Sequence, residues 1–150
     1  MKSKKAKNFK LKDYQDKVFN LFEYQKKSDL LLLFFRGEWC NQCRKQLADL
    51  NKNISWFKKN NIKIVALSSD SELFTSILIE IIKPKYPILS DIGWKVFNLY
   101  GFKKPANQKK IKPALLLINQ DHKIKYSYIG LNYLDRLTIP QLKKVITSHN

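Results

Sequence analysis

The strongest hydrophobic feature of the chain is the unbroken run Leu30-Leu31-Leu32-Leu33-Phe34-Phe35, which gives way abruptly to Arg36-Gly37-Glu38. Six apolar residues are too few to cross a bilayer and too continuous for a sheet with one wet face. The run therefore predicts a central strand buried on both sides. Leu47, Leu50, Ile54 and Phe57 then recur every three or four positions, the inner stripe of a helix running from the cysteines at 40 and 43 to about Asn60. Ile62 to Leu67 reads as a second buried strand, and strand, helix, strand in that order is a parallel, right-handed βαβ unit.

Ser68-Ser69-Asp70-Ser71-Glu72 is rich in capping residues, and Leu73, Phe74, Ile77, Leu78 and Ile81 predict the buried face of the next helix, stopped by Pro84 and Pro87. Ile88-Leu89 is short and extended, Asp91 caps the turn after it, and Trp94, Phe97 and Tyr100 line a brief helix ended by Gly101. Phe102 to Lys112 is a lysine-rich connection expected to be solvated. Pro113 to Ile118 is the third strong strand, and Lys123 to Tyr128 returns antiparallel to it across Asn119-Gln120-Asp121-His122. His122 thus falls in a surface turn. Thr138-Ile139-Pro140-Gln141 opens a last helix packed through Leu142, Val145 and Ile146. Near the start, Phe9-Lys10-Leu11 and Val18-Phe19-Asn20-Leu21 predict a small hairpin, with a helix over 14–27 as the competing pattern.

These elements make one α/β domain over residues 1–150, with a central mixed sheet flanked by helices and a flexible basic tail over 1–7. A 44% hydrophobic and 13% aromatic composition excludes disorder. The formal charge of +17 raises the question of an anionic partner, but Arg36, Arg44 and Arg136 are the only arginines among 29 basic residues, and the lysines are spread along the chain. No nucleic-acid motif accompanies them, so solvated faces account for the charge, with no specific nucleic acid and no membrane partner expected. The basic N-terminus leads into Asn8-Phe9-Lys10 without an apolar core for a secretory signal, which points to a cytoplasmic setting. In a reducing compartment a cysteine pair is more often catalytic than structural.

The chemistry sits in Trp39-Cys40-Asn41-Gln42-Cys43, which holds the only two cysteines. At a strand-to-helix junction, unpaired N–H groups and the helix dipole favour a thiolate, and a second thiol three residues on can resolve a mixed disulfide. Cys40 and Cys43 therefore read as a reversible dithiol/disulfide pair. Zinc would need more ligands than His122 and His149 offer at their spacing, and haem attachment would need His where Arg44 stands. No cofactor beyond the pair itself is expected.

The order of elements resembles the thioredoxin fold, and Trp39-Cys40-Asn41-Gln42-Cys43 resembles the thioredoxin Trp-Cys-x-x-Cys. Asn8 to Asp13, Phe35-Arg36-Gly37-Glu38-Trp39-Cys40, Ser68-Ser69-Asp70, Ile88 to Asp91, Tyr100-Gly101, Pro113 to Asn119 and Asp135-Arg136 are similar to the alkyl hydroperoxide reductase/thiol-specific antioxidant branch. Thioredoxin likeness implies that Cys40 attacks, Cys43 resolves and Pro113 is a cis-proline facing the disulfide, with a trans proline opening the strand as the alternative. It also implies that Trp39 is a lid on the site rim and that Phe34 takes the place of a buried acid. Peroxiredoxin likeness implies instead that Cys43 is oxidised by peroxide and Cys40 condenses with it. In that alignment Cys40 replaces a Thr, Arg36 replaces a Pro, and Pro113 stands where a strand Arg is usual; Arg36 and Arg44 are the candidates to replace that cation. The implied partners are a protein disulfide or a peroxide, and an external thiol reductant such as a thioredoxin or glutathione system. A basic binding protein without redox turnover is the reading from another class.

Overall fold

The computed structural model describes residues 4–107 and 110–149. The elements run β1 (Lys4–Lys5), β2 (Lys10–Lys12), β3 (Val18–Asn20), α1 (Leu21–Gln25), β4 (Asp29–Phe34), α2 (Asn41–Lys52), α3 (Ile54–Lys59) and β5 (Ile62–Ser68). They continue with α4 (Glu72–Ile82), β6 (Ile88–Ser90), α5 (Lys95–Leu99), β7 (Ala114–Ile118), β8 (Lys123–Ile129) and α6 (Ile139–Ser148). Six strands form one sheet in the order β1-β8-β7-β4-β5-β6, and β2 with β3 makes the separate hairpin. β4 lies parallel to β5 and antiparallel to β7, so Leu32 is flanked by Val65 on one side and Leu116 on the other.

The continuous apolar run is explained by the two layers that cover it. Leu31, Leu33 and Phe35 pack with Leu47 and Leu50 of α2, Leu78 of α4, and Leu142 and Ile146 of α6. Leu30, Leu32 and Phe34 face the other way, into Phe9, Leu21, Val96 and Phe97 of the hairpin, α1 and α5. Each such side chain contributes about 1.5–3 kcal/mol through its removal from water. The cysteines belong to the first layer, at the carboxyl end of β4. In α/β folds that end is where ligands and reactive groups gather.

Most expected elements are present, including the hairpin, with Lys10 opposite Asn20 and Lys12 opposite Val18, and the reciprocal capping box of Thr138 and Gln141. Asp91 accepts hydrogen bonds from the Val96 and Phe97 amides, both at 2.9 Å, as a cap should. Four details differ. The helix after the cysteines is interrupted at Asn53, whose Nδ2 donates to the Asp49 carbonyl at 2.8 Å. That local bond satisfies a carbonyl the helix would otherwise use, while Leu47, Leu50, Ile54 and Phe57 all stay buried. In α4 only Leu78 of the expected face is buried, alongside Thr75; Leu73 is 66% exposed, and Phe74, Ile77 and Ile81 also face out. The apolar arc of this helix is wider than its buried seam, so periodicity found the helix and not its orientation. The expected basic tail is partly ordered: Lys4 and Lys5 pair with Ile124 and Lys123, the Ala6 amide donates to the His122 carbonyl, and Lys7 shares two hydrogen bonds with Tyr100. Residues 1–3 of that tail lie outside the described residues. Finally, no peptide bond among the described residues is cis, so Pro113 opens β7 as a trans proline. Its carbonyl accepts from the Gly130 amide at 2.8 Å, tying β7 to the loop beyond β8.

Candidate active site

The backbone leaves β4 with the Phe35 amide bonded to the Leu67 carbonyl, turns through Gly37, and enters α2 with Cys40 as its N-cap. A cysteine in the cap position points its sulfur at the first-turn amides. Cys40 Sγ accepts from the Cys43 amide at 3.2 Å, and Cys43 Sγ accepts from the Arg36 amide at 3.3 Å. Both sulfurs are thiols in this structure, and both are buried.

Two guanidinium groups converge on them. Arg36 brings Nη1 to 3.8 Å from Cys40 Sγ, and its Nε donates to the Ile111 carbonyl at 2.8 Å. Arg136 brings Nη2 to 3.5 Å from Cys40 Sγ and 3.2 Å from Cys43 Sγ. Its other nitrogens are anchored: Nη1 donates to Gln46 Oε1 at 2.6 Å and Nε to the Tyr133 carbonyl at 2.8 Å.

These contacts separate the thiols electrostatically. The Cys40 thiol is lowered from 9.0 to about 5, first by a hydrogen bond from the Cys43 thiol, then by the Cys43 amide and the charges of Arg136 and Arg36, against the opposing effect of burial. Cys43 is pushed upward, chiefly by burial and then by giving its hydrogen bond to Cys40. The two shifts run in opposite directions and favour the negative charge on Cys40 and the proton on Cys43.

The supports around the pair come from loops far apart in the chain. The Asp70 carboxylate, at the end of β5, accepts from the Glu38 amide at 2.8 Å and the Ser68 hydroxyl at 2.6 Å. Burial raises this carboxyl above its usual range. On the other side, Asp135 accepts from the Tyr128 hydroxyl at 2.5 Å and the Leu131 amide at 2.7 Å, which folds the loop that delivers Arg136. Gly130 begins this loop because a Cβ there would lie 2.8 Å from Pro113 Cγ and collide with the Asp135 carbonyl.

Of the residues anticipated from sequence, Cys40, Cys43 and Arg36 come together directly. Trp39 lies on the rim, its ring 4.9 Å from the Arg36 guanidinium carbon. Pro113 reaches the site through Arg136, with which it lines a cavity of about 10 Å³ together with Leu33 and Gln46. Arg44 turns outward, pairing with the Glu38 carboxylate at 2.6 Å. Phe34 packs against Phe97 and Phe102 in the core layer away from the cysteines, so it does not occupy a position from which an acid could serve them. Leu33, the next residue back, is the one on the cysteine side. His122 lies in its turn, stacked on Phe22 at 3.7 Å, and His149 caps α6. Among the described residues no group of three or more His, Cys, Asp or Glu could hold a metal ion, and no helix is long and apolar enough to cross a membrane.

Arg136 is the functional residue that pattern reading missed. Its signal was its rarity, one arginine of three among 29 basic residues, at a position already matched to the family's C-terminal part.

Known proteins resemble this chain in sequence and in fold. The thiol-disulfide oxidoreductase ResA of Bacillus thuringiensis (strain Al Hakam) is 28% identical over 143 residues, covering 95% of this chain and 77% of its own. The crystal structure of peroxidoxin BcpB from Mycobacterium tuberculosis superposes with a TM-score of 0.84 at 18% identity, over 98% of this chain and 94% of that one. A protein from Chlorobium tepidum described as a thiol:disulfide interchange protein DsbE superposes at 0.78 and 20% identity, over 100% and 99% of the two chains. At these identities the two structures speak for the thioredoxin-like fold alone. The match that assigns the chain is to the family itself: from residue 3 to residue 127, across β4, the cysteine pair and the β7–β8 hairpin, this protein belongs to the AhpC/TSA family.

Proposed function

We propose that the protein is a thiol–disulfide oxidoreductase in which Cys40 is the attacking and Cys43 the resolving residue. The observation that carries this reading is the division of charge between the sulfurs: Cys40 is held as a thiolate by the Cys43 amide, the Cys43 thiol and two guanidiniums, while burial keeps Cys43 protonated. The Cys40 thiolate attacks one sulfur of a protein disulfide, forming a Cys40–substrate bond and expelling the other substrate sulfur as a thiolate. With Cys40 now neutral, two of the effects that raise Cys43, the hydrogen bond to Cys40 and the Cys40 charge, are gone while Arg136 stays beside the sulfur, and the expelled substrate thiolate takes the Cys43 proton. Its thiolate attacks Cys40 Sγ, forms the Cys40–Cys43 disulfide and releases the second substrate thiolate. Two electrons pass from the pair to the substrate, and an external thiol donor returns them.

Arg136 suits both steps because Nη2 faces both sulfurs. Charge that moves from one to the other stays beside the same cation, with no rearrangement of the site. The peroxidase alternative, with Cys43 attacking peroxide and Cys40 condensing on its sulfenic acid, is served less well by a fully buried Cys43 whose pKa is raised. Binding without turnover leaves the lowered Cys40 unused. The family relationship supports oxidoreductase chemistry, and a thioredoxin or glutathione system in the cytoplasm is the reductant that fits a pair of this kind.

The test is a pair of single-serine variants. Cys43→Ser should accumulate a mixed disulfide through Cys40 when mixed with a protein disulfide, and Cys40→Ser should accumulate none. Rapid sulfenic acid formation on Cys43 in Cys40→Ser treated with hydrogen peroxide would overturn the assignment.

A further inference from the structure

Cys40 combines two properties that pull against each other. It carries the lowered pKa of the site, yet it is only 4% exposed. A thiolate attacking a disulfide needs the incoming sulfur and its departing partner in line, so the group that arrives must have room behind it. Arg36 lies beside Cys40 and is itself buried. The Arg36 guanidinium, Nη1 at 3.8 Å from the sulfur, is fixed through Nε to the Ile111 carbonyl. It is gripped by rings from two directions: Trp39 at 4.9 Å, from the turn before α2, and Tyr133 at 5.4 Å, from the loop after β8.

The two rings differ in how firmly they are held. Trp39 lies back against Gly37, where a Cβ would run into the indole, so this close approach exists only because residue 37 is glycine. Tyr133 sits on an open loop, half-exposed, and it is its backbone carbonyl that accepts from Arg136 Nε. Its ring can therefore leave without breaking the anchor of Arg136.

We propose that Tyr133 is a specificity-determining residue: with Trp39 it clamps Arg36 over Cys40 and sets the size of the electrophile that the sulfur accepts. This rests on Cys40 being the attacking thiolate. A small electrophile reaches Cys40 past the closed clamp. A disulfide on a folded protein reaches it only after the Tyr133 ring has swung off Arg36, so part of every encounter with such a substrate is spent waiting for that motion.

The experiment compares two probes on the reduced full-length protein: iodoacetamide, which is small and uncharged, and insulin, whose disulfides sit on a folded protein. The quantity read is the ratio of the second-order rate constant for insulin to that for iodoacetamide, so that any change in the Cys40 thiolate fraction cancels. In Tyr133→Ala the ratio should rise at least five-fold. Tyr133→Phe, which keeps the ring, and Leu131→Ala, on the same loop and 80% exposed, should stay within two-fold of wild type. A rise of less than five-fold in Tyr133→Ala overturns the clamp, as does a rise beyond two-fold in Tyr133→Phe or Leu131→Ala, which would mean that loosening the loop and not removing the ring is what matters. Mass spectrometry of the alkylated protein tests the underlying assignment separately. Carbamidomethylation of Cys43 ahead of Cys40 overturns Cys40 as the attacking residue, whereas label on Cys40 with an unchanged ratio overturns the clamp alone.

Discussion

Removing the Arg136 charge isolates what the loop after β8 contributes to the reactive thiol. In Arg136→Gln the cation 3.5 Å from Cys40 Sγ is gone, and the shorter, neutral side chain ends short of the sulfurs. Two unit charges about 4 Å apart interact by about 1 kcal/mol in water and about 4 kcal/mol at the effective dielectric of a protein surface. The site is only partly shielded, and Arg36 and the Cys43 amide remain, which places the loss at about 1.5–3 kcal/mol. At about 1.4 kcal/mol per pH unit, the Cys40 midpoint should move up by roughly one to two units. The assay is the pH dependence of iodoacetamide alkylation under pseudo-first-order conditions. In the wild type the rate should be flat near neutrality and fall as the pH drops through about 5, because protonation removes the nucleophile. In Arg136→Gln the same fall should begin near neutrality. A midpoint that moves by less than 0.3 unit (roughly 0.4 kcal/mol) would refute the reasoning and leave the Cys43 thiol, the Cys43 amide and Arg36 as sufficient causes.

Two further outcomes follow from the packing. Leu32→Ala, at a fully buried position between β5 and β7, should cost about 2–5 kcal/mol by urea unfolding, with the slope of the transition unchanged. Gly130→Ala should cost about 1–3 kcal/mol, since the new methyl meets Pro113 and the Asp135 backbone, and the same variant should raise the alkylation midpoint of Cys40 because the loop that carries Arg136 is displaced.

What could be read before the structure was whatever local chemistry dictates. Leu30–Phe35 had no alternative to a doubly covered strand, and the cysteine spacing at its end specified a helix cap with two sulfurs. Arg136 was out of reach of such reading because it arrives from a loop 93 residues beyond Cys43, folded by Asp135 and Tyr128 through bonds that leave no periodic mark. Phe34 and Leu33 illustrate a finer limit. In a strand buried on both sides, alternation carries no polar signal, so which residue faces the cysteines is decided by the layers and not by the strand itself. The same holds for α4, whose outward residues are as apolar as its inward ones. The resemblance implies a cis-proline at Pro113 facing the disulfide; in the structure Pro113 is trans, and its carbonyl holds the Gly130 amide at the root of the Arg136 loop.

The position of β4 between β5 and β7 has a consequence for how the protein comes into being. One neighbour of β4 follows it directly after α2 and α3, but the other pairs Leu30 with Ile118 and Phe34 with Ala114, and the cation that completes the site lies later still. Contacts so distant in sequence form slowly, and during synthesis they wait for the ribosome to release the last third of the chain. Cys40 and Cys43 emerge early, without Arg136 beside them. An emerging chain thus carries a pair that lacks the Arg136 charge, and the Cys40 thiol reaches its full acidity when the last loop has closed on it. The full lowering of the Cys40 thiol is in this way tied to completion of the fold, because the Arg136 charge joins the site last.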